Sequence, residues 1–106
     1  MSRKNLSVTI KIPKFFRDKL KNKKINNIYK RFEKSLNINE SFVVAVSGGP
    51  DSLALAFLAK IYSIKKKLSV KFFIVDHKLR SESTKEAKIV SLLLKKKLIK
   101  SEILTW

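Results

Sequence analysis

From Phe42 to Val46 the chain is apolar without a break, and after a short polar interval it is apolar again from Leu53 to Ile64. The first run is short and valine-rich. Its lack of alternation predicts a strand buried on both faces, as in a parallel sheet. The second run is too long for a strand and rich in Ala and Leu, which predicts a buried helix. Upstream, Ile25, Ile28, Tyr29, Phe32 and Leu36 recur at helical spacing and predict a helix over about residues 25–36 with one apolar stripe. Before them, Leu6, Val8, Ile10 and Ile12 alternate with polar residues as in a half-buried strand, which Pro13 ends. Downstream, Leu68 to Val75 predicts a second strand. Ser83 and Glu86 have the spacing of a capping box opening a helix with Ala87, Val90, Leu93 and Leu94 on one face. Glu102 to Trp106 predicts a third strand. Parallel strands joined by right-handed helical crossovers should lie in the order 3-2-1.

The junction between the first strand and the buried helix is the informative one. It reads Ser47-Gly48-Gly49-Pro50-Asp51-Ser52 and holds both of the chain's glycines. Glycine serves positions that need a positive φ or a close approach of ligand to backbone. The first N–H groups of a helix have no partner inside it and lie at the positive end of its dipole, so this turn is a candidate anion site. Ser47 and Ser52 add hydroxyls. Asp51 would repel a phosphate unless a Mg²⁺ ion were shared between them. An ordinary strand-to-helix turn capped by Ser or Asp remains the plain alternative. The Gly-x-x-x-x-Gly-Lys and Gly-x-Gly-x-x-Gly loops do not fit, nor does a nucleophile elbow.

Asp76-His77-Lys78-Leu79-Arg80 ends the second strand, and the carboxyl ends of parallel strands are where open α/β sheets hold ligands. Asp76, His77 and Arg80 are therefore candidate rim contacts beside the glycine loop. His77 is the only histidine and there is no cysteine, so these residue types offer no metal cluster. Arg80 has the forked donors for a phosphate.

Composition narrows the picture further. At 106 residues there is room for one small domain. No run is long and apolar enough for a membrane span, and the lack of cysteine fits a reducing cytoplasm. The 25 basic residues against 8 acidic ones give a net charge of +17, which points to a polyanionic partner such as nucleic acid. Because nearly all of the basic residues are lysine, the excess also fits a coding bias toward AT. Residues 1–24 read as a basic N-terminal extension, either an arm on RNA phosphates or a solvated tail, and 25–106 as the folded portion.

The loop resembles the Ser-Gly-Gly-x-Asp-Ser signature of the PP-loop family, the N-type ATP pyrophosphatases. Ser47, Gly48, Gly49, Asp51 and Ser52 fill its defined positions and Pro50 the variable one. The resemblance implies a Rossmann-like α/β domain, incomplete here, with about three parallel strands and flanking helices. It also implies ATP cleaved between its α and β phosphates to adenylate a substrate. Val75-Asp76-His77-Lys78-Leu79-Arg80, followed by Ser83 and Glu86-Ala87, is similar to the corresponding segment of the tRNA(Ile)-lysidine synthetase family. That likeness implies adenylation of the wobble cytidine of tRNA(Ile), with free lysine then displacing AMP. By position, Ser47 to Ser52 would bind ATP, Asp51 would help hold Mg²⁺ as the catalytic carboxylate, and backbone near Val75 and Asp76 would meet adenine.

The family's chains are longer, so the expectation is an N-terminal fragment or truncated copy that binds ATP weakly, if at all, and does not complete lysidine formation alone. Two other readings stay open: another PP-loop adenylating enzyme, of the tRNA-thiolating or amidotransferase type, and a non-catalytic basic RNA-binding fragment.

Overall fold

The computed structural model describes residues 12–47, 49–76 and 82–105. Pro13, in extended conformation, precedes a first short helix, α1 (Lys14–Leu20). Lys14 donates to Asp18 across one turn at 2.9 Å and holds that carboxyl below its ordinary value, but an exposed pair of this kind adds little stability. What fixes α1 is Phe16, which is 0% exposed; its ring lies 5.3 Å from Phe15 and 5.4 Å from Phe57. Within the stretch read as an extension, the chain thus already contributes to the core at Phe16. The alternating segment Leu6 to Lys11 lies outside the described residues, and Ile12 packs at the margin of the core.

Helix α2 (Lys23–Ser35) starts two residues earlier than the apolar stripe suggests, because the Asn22 side chain accepts from the Ile25 N–H at 3.1 Å and caps it. Its buried Tyr29 donates to Glu33 Oε2 at 3.2 Å. Burial, then that carboxylate, push the Tyr29 phenol well above its ordinary value. Lys65 reaches Glu33 at 3.5 Å from the neighbouring helix. The turn after α2 is pinned by Tyr62, whose hydroxyl donates to the Ile38 carbonyl at 3.2 Å and accepts the Ile38 N–H at 3.3 Å.

The rest follows the expected alternation: β1 (Phe42–Val46), α3 (Pro50–Lys66), β2 (Val70–Asp76), α4 (Ser83–Lys96) and β3 (Ser101–Thr105). The strands are parallel in the order β1-β2-β3, with Val44 opposite Phe72, Val46 opposite Ile74, and Ile74 opposite Ile103. That register puts Val44, Val46, Phe72 and Ile74 on one face, and all four are buried together with Ala56, Ala59, Ala87, Val90 and Leu94 of the two crossover helices. Consecutive crossovers of one hand leave their helices on the same side of the sheet. The other face is open in part: Val43 is 61% and Leu104 45% exposed.

Two sequence expectations need correcting. β1 is buried on one face only, because a continuous apolar run does not reveal which of its faces a helix will cover. The capping box also shifts: Glu82 occupies the N-cap position of α4, and Ser83 is already its first helical residue. The neighbouring Thr84 is drawn into a tertiary contact with Asp76 instead of serving the helix start.

Candidate functional site

β1 delivers the chain to Ser47 at the carboxyl end of the sheet, and α3 leaves it from Pro50. Between them Gly49 is the N-cap of α3, with φ −73° and ψ 154°. Pro50 follows at the first helical position, where a missing N–H costs nothing and the fixed φ suits the helix. The first helical bond, from the Leu53 N–H to the Gly49 carbonyl, is 3.1 Å.

Two hydroxyls shape the turn. The Ser47 N–H donates to Ser52 Oγ at 2.8 Å, and the Gly49 N–H makes a longer bond of 3.4 Å to Ser47 Oγ. Each hydroxyl is used as an acceptor, so each keeps its proton for an outside oxygen. Asp51 stands exposed in the first turn of α3, where a carboxylate is favoured by the helix dipole.

Gly49 tests whether a ligand fits. Its φ is one that any residue adopts. A Cβ built there would meet only Ser47 Oγ, at 3.8 Å, an ordinary contact. Backbone strain does not demand glycine at this position, and among the described residues the only side chain near a Cβ there is Ser47. The start of a helix beside two serine hydroxyls has the chemistry that suits a phosphate group. Mg²⁺ usually takes one or two protein carboxylates and completes its shell with phosphate oxygens and water. Asp51 beside the loop suits that pattern, and among the described residues there is no cluster of three His, Cys, Asp or Glu that would hold a metal by itself.

β2 runs two residues beyond the β1 register and ends at Asp76, beside the loop. Asp76 is turned inward: it is 2% exposed and accepts from Thr84 Oγ1 at 2.7 Å. A cleft of about 180 Å³ opens next to it, lined by Ser47, Val75, Ser83, Glu86 and Val90 among others. It adjoins the glycine turn on the side of β2 and α4. Of two larger depressions, one lies at the opposite end of β2 and the other runs along α3 from Leu53 to Leu58 against Ile25 and Ile28 of α2. Gly48, His77 and Arg80 lie outside the described residues. The structure therefore brings Ser47, Gly49, Pro50, Asp51 and Ser52 together and sets Asp76 beneath their rim. Thr84 was missed by sequence reasoning; its only signal was a polar β-branched residue one place into a helix.

The PP-loop domain family matches residues 18–106. The chain belongs to the PP-loop family. Over 53 residues the chain is 51% identical to a tRNA(Ile)-lysidine synthase of Orientia tsutsugamushi (strain Boryong), a match covering 50% of this chain and 12% of that protein. Over 82 residues it is 43% identical to the tRNA(Ile)-lysidine synthases of Brucella ovis and Brucella melitensis biotype 2, covering 76% of this chain and 18% of each relative. The chain thus spans less than a fifth of the length of the relatives it matches. The glycine turn, the segment that resembles the PP-loop signature, lies inside the matched residues, and α3 follows it. Among the described residues no helix is long and apolar enough to cross a membrane.

Proposed function

We propose that this chain supplies the ATP-binding part of a tRNA(Ile)-lysidine synthase, with residues 25–106 carrying the nucleotide site and residues 1–24 a basic extension whose described part is fastened by Phe16. The observation that carries this reading is the Gly49 turn: an unstrained glycine with little packed on it among the described residues, at a helix start flanked by two serine hydroxyls and one exposed carboxylate. Ser47, Gly48, Gly49, Pro50, Asp51 and Ser52 hold the ATP phosphates. Asp51 would hold Mg²⁺, which would supply charge neutralisation on the phosphates as the bond between α and β is cleaved. The backbone at Val75 faces adenine across the small cleft, and Thr84 keeps Asp76 oriented beneath it. His77 and Arg80 are rim contacts for phosphate or RNA. ATP adenylates the wobble cytidine of tRNA(Ile) and pyrophosphate leaves; the amine of free lysine then displaces AMP. The names of the relatives support this reaction over other PP-loop adenylations, and the reaction is cytoplasmic.

The test is Mg·ATP binding by calorimetry, in the chain and in its Asp51→Ala variant. Measurable binding that the variant loses, together with transfer of label from the α-phosphate of ATP to tRNA(Ile) in the absence of lysine and its release as AMP once lysine is added, is the expected result. Binding of RNA alone, indifferent to Asp51 and steep in salt, would replace the reading with that of a non-catalytic RNA-binding piece.

A further inference from the structure

The PP-loop occupies one end of the parallel sheet, and a different chemistry occupies the other. Helices that cross over a parallel sheet start at the carboxyl ends of the strands and finish at the amino ends. Lys66 and Lys67 finish α3, Lys95 and Lys96 finish α4, Lys71 is second in β2, and Lys100 immediately precedes β3. Between β2 and the α4–β3 turn lies a groove of about 400 Å³, roomier than the cleft beside the PP-loop. Lys71, Lys95 and Lys100 line it with Ser91 and Ser101, and Glu102 is the one acidic residue in its wall. Ser101 donates to Ser91 at 3.4 Å across its floor.

Lysine at a helix C-terminus has an ordinary explanation, since it complements the dipole. That covers Lys66, Lys95 and Lys96. It does not cover Lys71 and Lys100, which sit at strand starts. Nor are these groove lysines neutralised: the described ion pairs involve Lys14, Lys21 and Lys65. At the PP-loop end the described charges include Asp51, Asp76, Glu82 and Glu86. The positive charges lie on two adjacent strands and two separate helix ends, a spread suited to a chain of phosphates more than to one small anion. β2 has seven residues, about 23 Å at the rise of a strand, so a folded RNA engaged at the PP-loop can reach both ends.

We infer that the groove between β2 and the α4–β3 turn is a second RNA-backbone site, which holds tRNA phosphates at the end of the sheet opposite the reaction. The inference rests on the RNA substrate proposed above and adds where else that RNA is held. Phosphate contacts of this kind fix position and strength without reading sequence.

The experiment compares two triple variants of the full 106-residue chain that remove equal charge. One is Lys71→Gln/Lys95→Gln/Lys100→Gln; the other, on α2, is Lys23→Gln/Lys24→Gln/Lys30→Gln. Binding of an unmodified tRNA(Ile) transcript is measured across a salt series. The groove variant should bind at least tenfold more weakly, with a salt slope lower by about 2 to 3, while the α2 variant changes much less. Equal losses in both would mean diffuse charge only and would overturn the site. So would competition by poly-glutamate as effective as that of RNA, since it would point to an acidic protein partner. Independently of any substitution, tRNA should protect Lys71, Lys95 and Lys100 from acylation more than Lys23, Lys24 and Lys30, and equal protection rejects the proposal. Mg·ATP binding should be untouched in the groove variant and lost in Asp51→Ala, which separates failure of this site from failure of the nucleotide reading.

Discussion

Two kinds of turn in this molecule use glycine in opposite ways. Both crossover helices finish on a residue in the left-handed region, Lys67 at φ 58° after α3 and Leu98 at φ 61° after α4. Each end is closed by a backbone bond reaching five residues back, from Leu68 to Ser63 and from Ile99 to Leu94, both at 2.9 Å. Glycine is the residue that usually fills such a position, because any side chain there is strained. The chain puts lysine and leucine there instead. At the PP-loop, Gly49 has an extended φ that imposes no such demand, yet glycine is kept. Where glycine would relieve strain it is absent, and it is present at an N-cap whose φ any residue adopts and where Ser or Asp would cap as well. The difference separates a requirement of folding from a requirement of binding.

Gly49→Ala breaks the comparison most directly. A methyl group at that position makes one ordinary contact and fits the backbone, and alanine is a poorer N-cap than glycine, so the chain should lose no more than about 1 kcal/mol of stability. Mg·ATP affinity should fall at least tenfold, which is about 1.4 kcal/mol, because the methyl occupies the space over the helix start. Unchanged ATP affinity in a folded variant would mean that the space at Gly49 is not where the phosphates lie.

A second substitution asks whether the cleft wall is held from below. Thr84→Val keeps the shape of the side chain and removes the 2.7 Å hydrogen bond to the buried Asp76 carboxylate. Loss of one hydrogen bond to a buried charged group costs about 1–3 kcal/mol, and chemical denaturation should show it. The same variant should weaken ATP less than Gly49→Ala does, since Thr84 acts through Asp76. If Thr84→Val is as stable as wild type, Asp76 is held by its other contacts and Thr84 has no positioning role.

The sequence made the framework legible where one element carried a strong period or a punctuating residue. The strand–turn–helix around Ser47 to Ser52, the parallel order and the stripe on α2 were all readable, because each depends on local pattern and chain connectivity. Three features were not. α1 has only seven residues, too few for a period to show, and its place in the fold depends on Phe16 meeting Phe57, a contact distant in sequence. The open face of β1 looks identical, in sequence, to a covered one. The Thr84–Asp76 pair joins a strand end to the next helix, and nothing in the local spelling Ser-Thr-Lys-Glu distinguishes it from a helix cap. Of the candidate site, the phosphate loop could be read from its residues, while the inward turn of Asp76 required the packing of α4.

The smallest expected effect lies at the other side of the comparison. If Lys67 and Leu98 bear strain that folding tolerates, Lys67→Gly and Leu98→Gly should each stabilise the chain. The left-handed conformation costs a non-glycine residue about 1–2 kcal/mol, and the added freedom of glycine in the unfolded chain takes back about 0.4–1 kcal/mol. The net gain is therefore about 0.5–1 kcal/mol at each site. For a domain of this size that is a rise in melting temperature of about 2–8 °C. Lys67 gives the cleaner reading, because it is exposed, whereas Leu98 is 51% exposed and loses some apolar contact when truncated. Neither change should alter Mg·ATP affinity, since both helix ends lie opposite the PP-loop. A destabilised Lys67→Gly would show that the side chain contributes more at this turn than its backbone strain removes, and the inverted use of glycine would then need another cause.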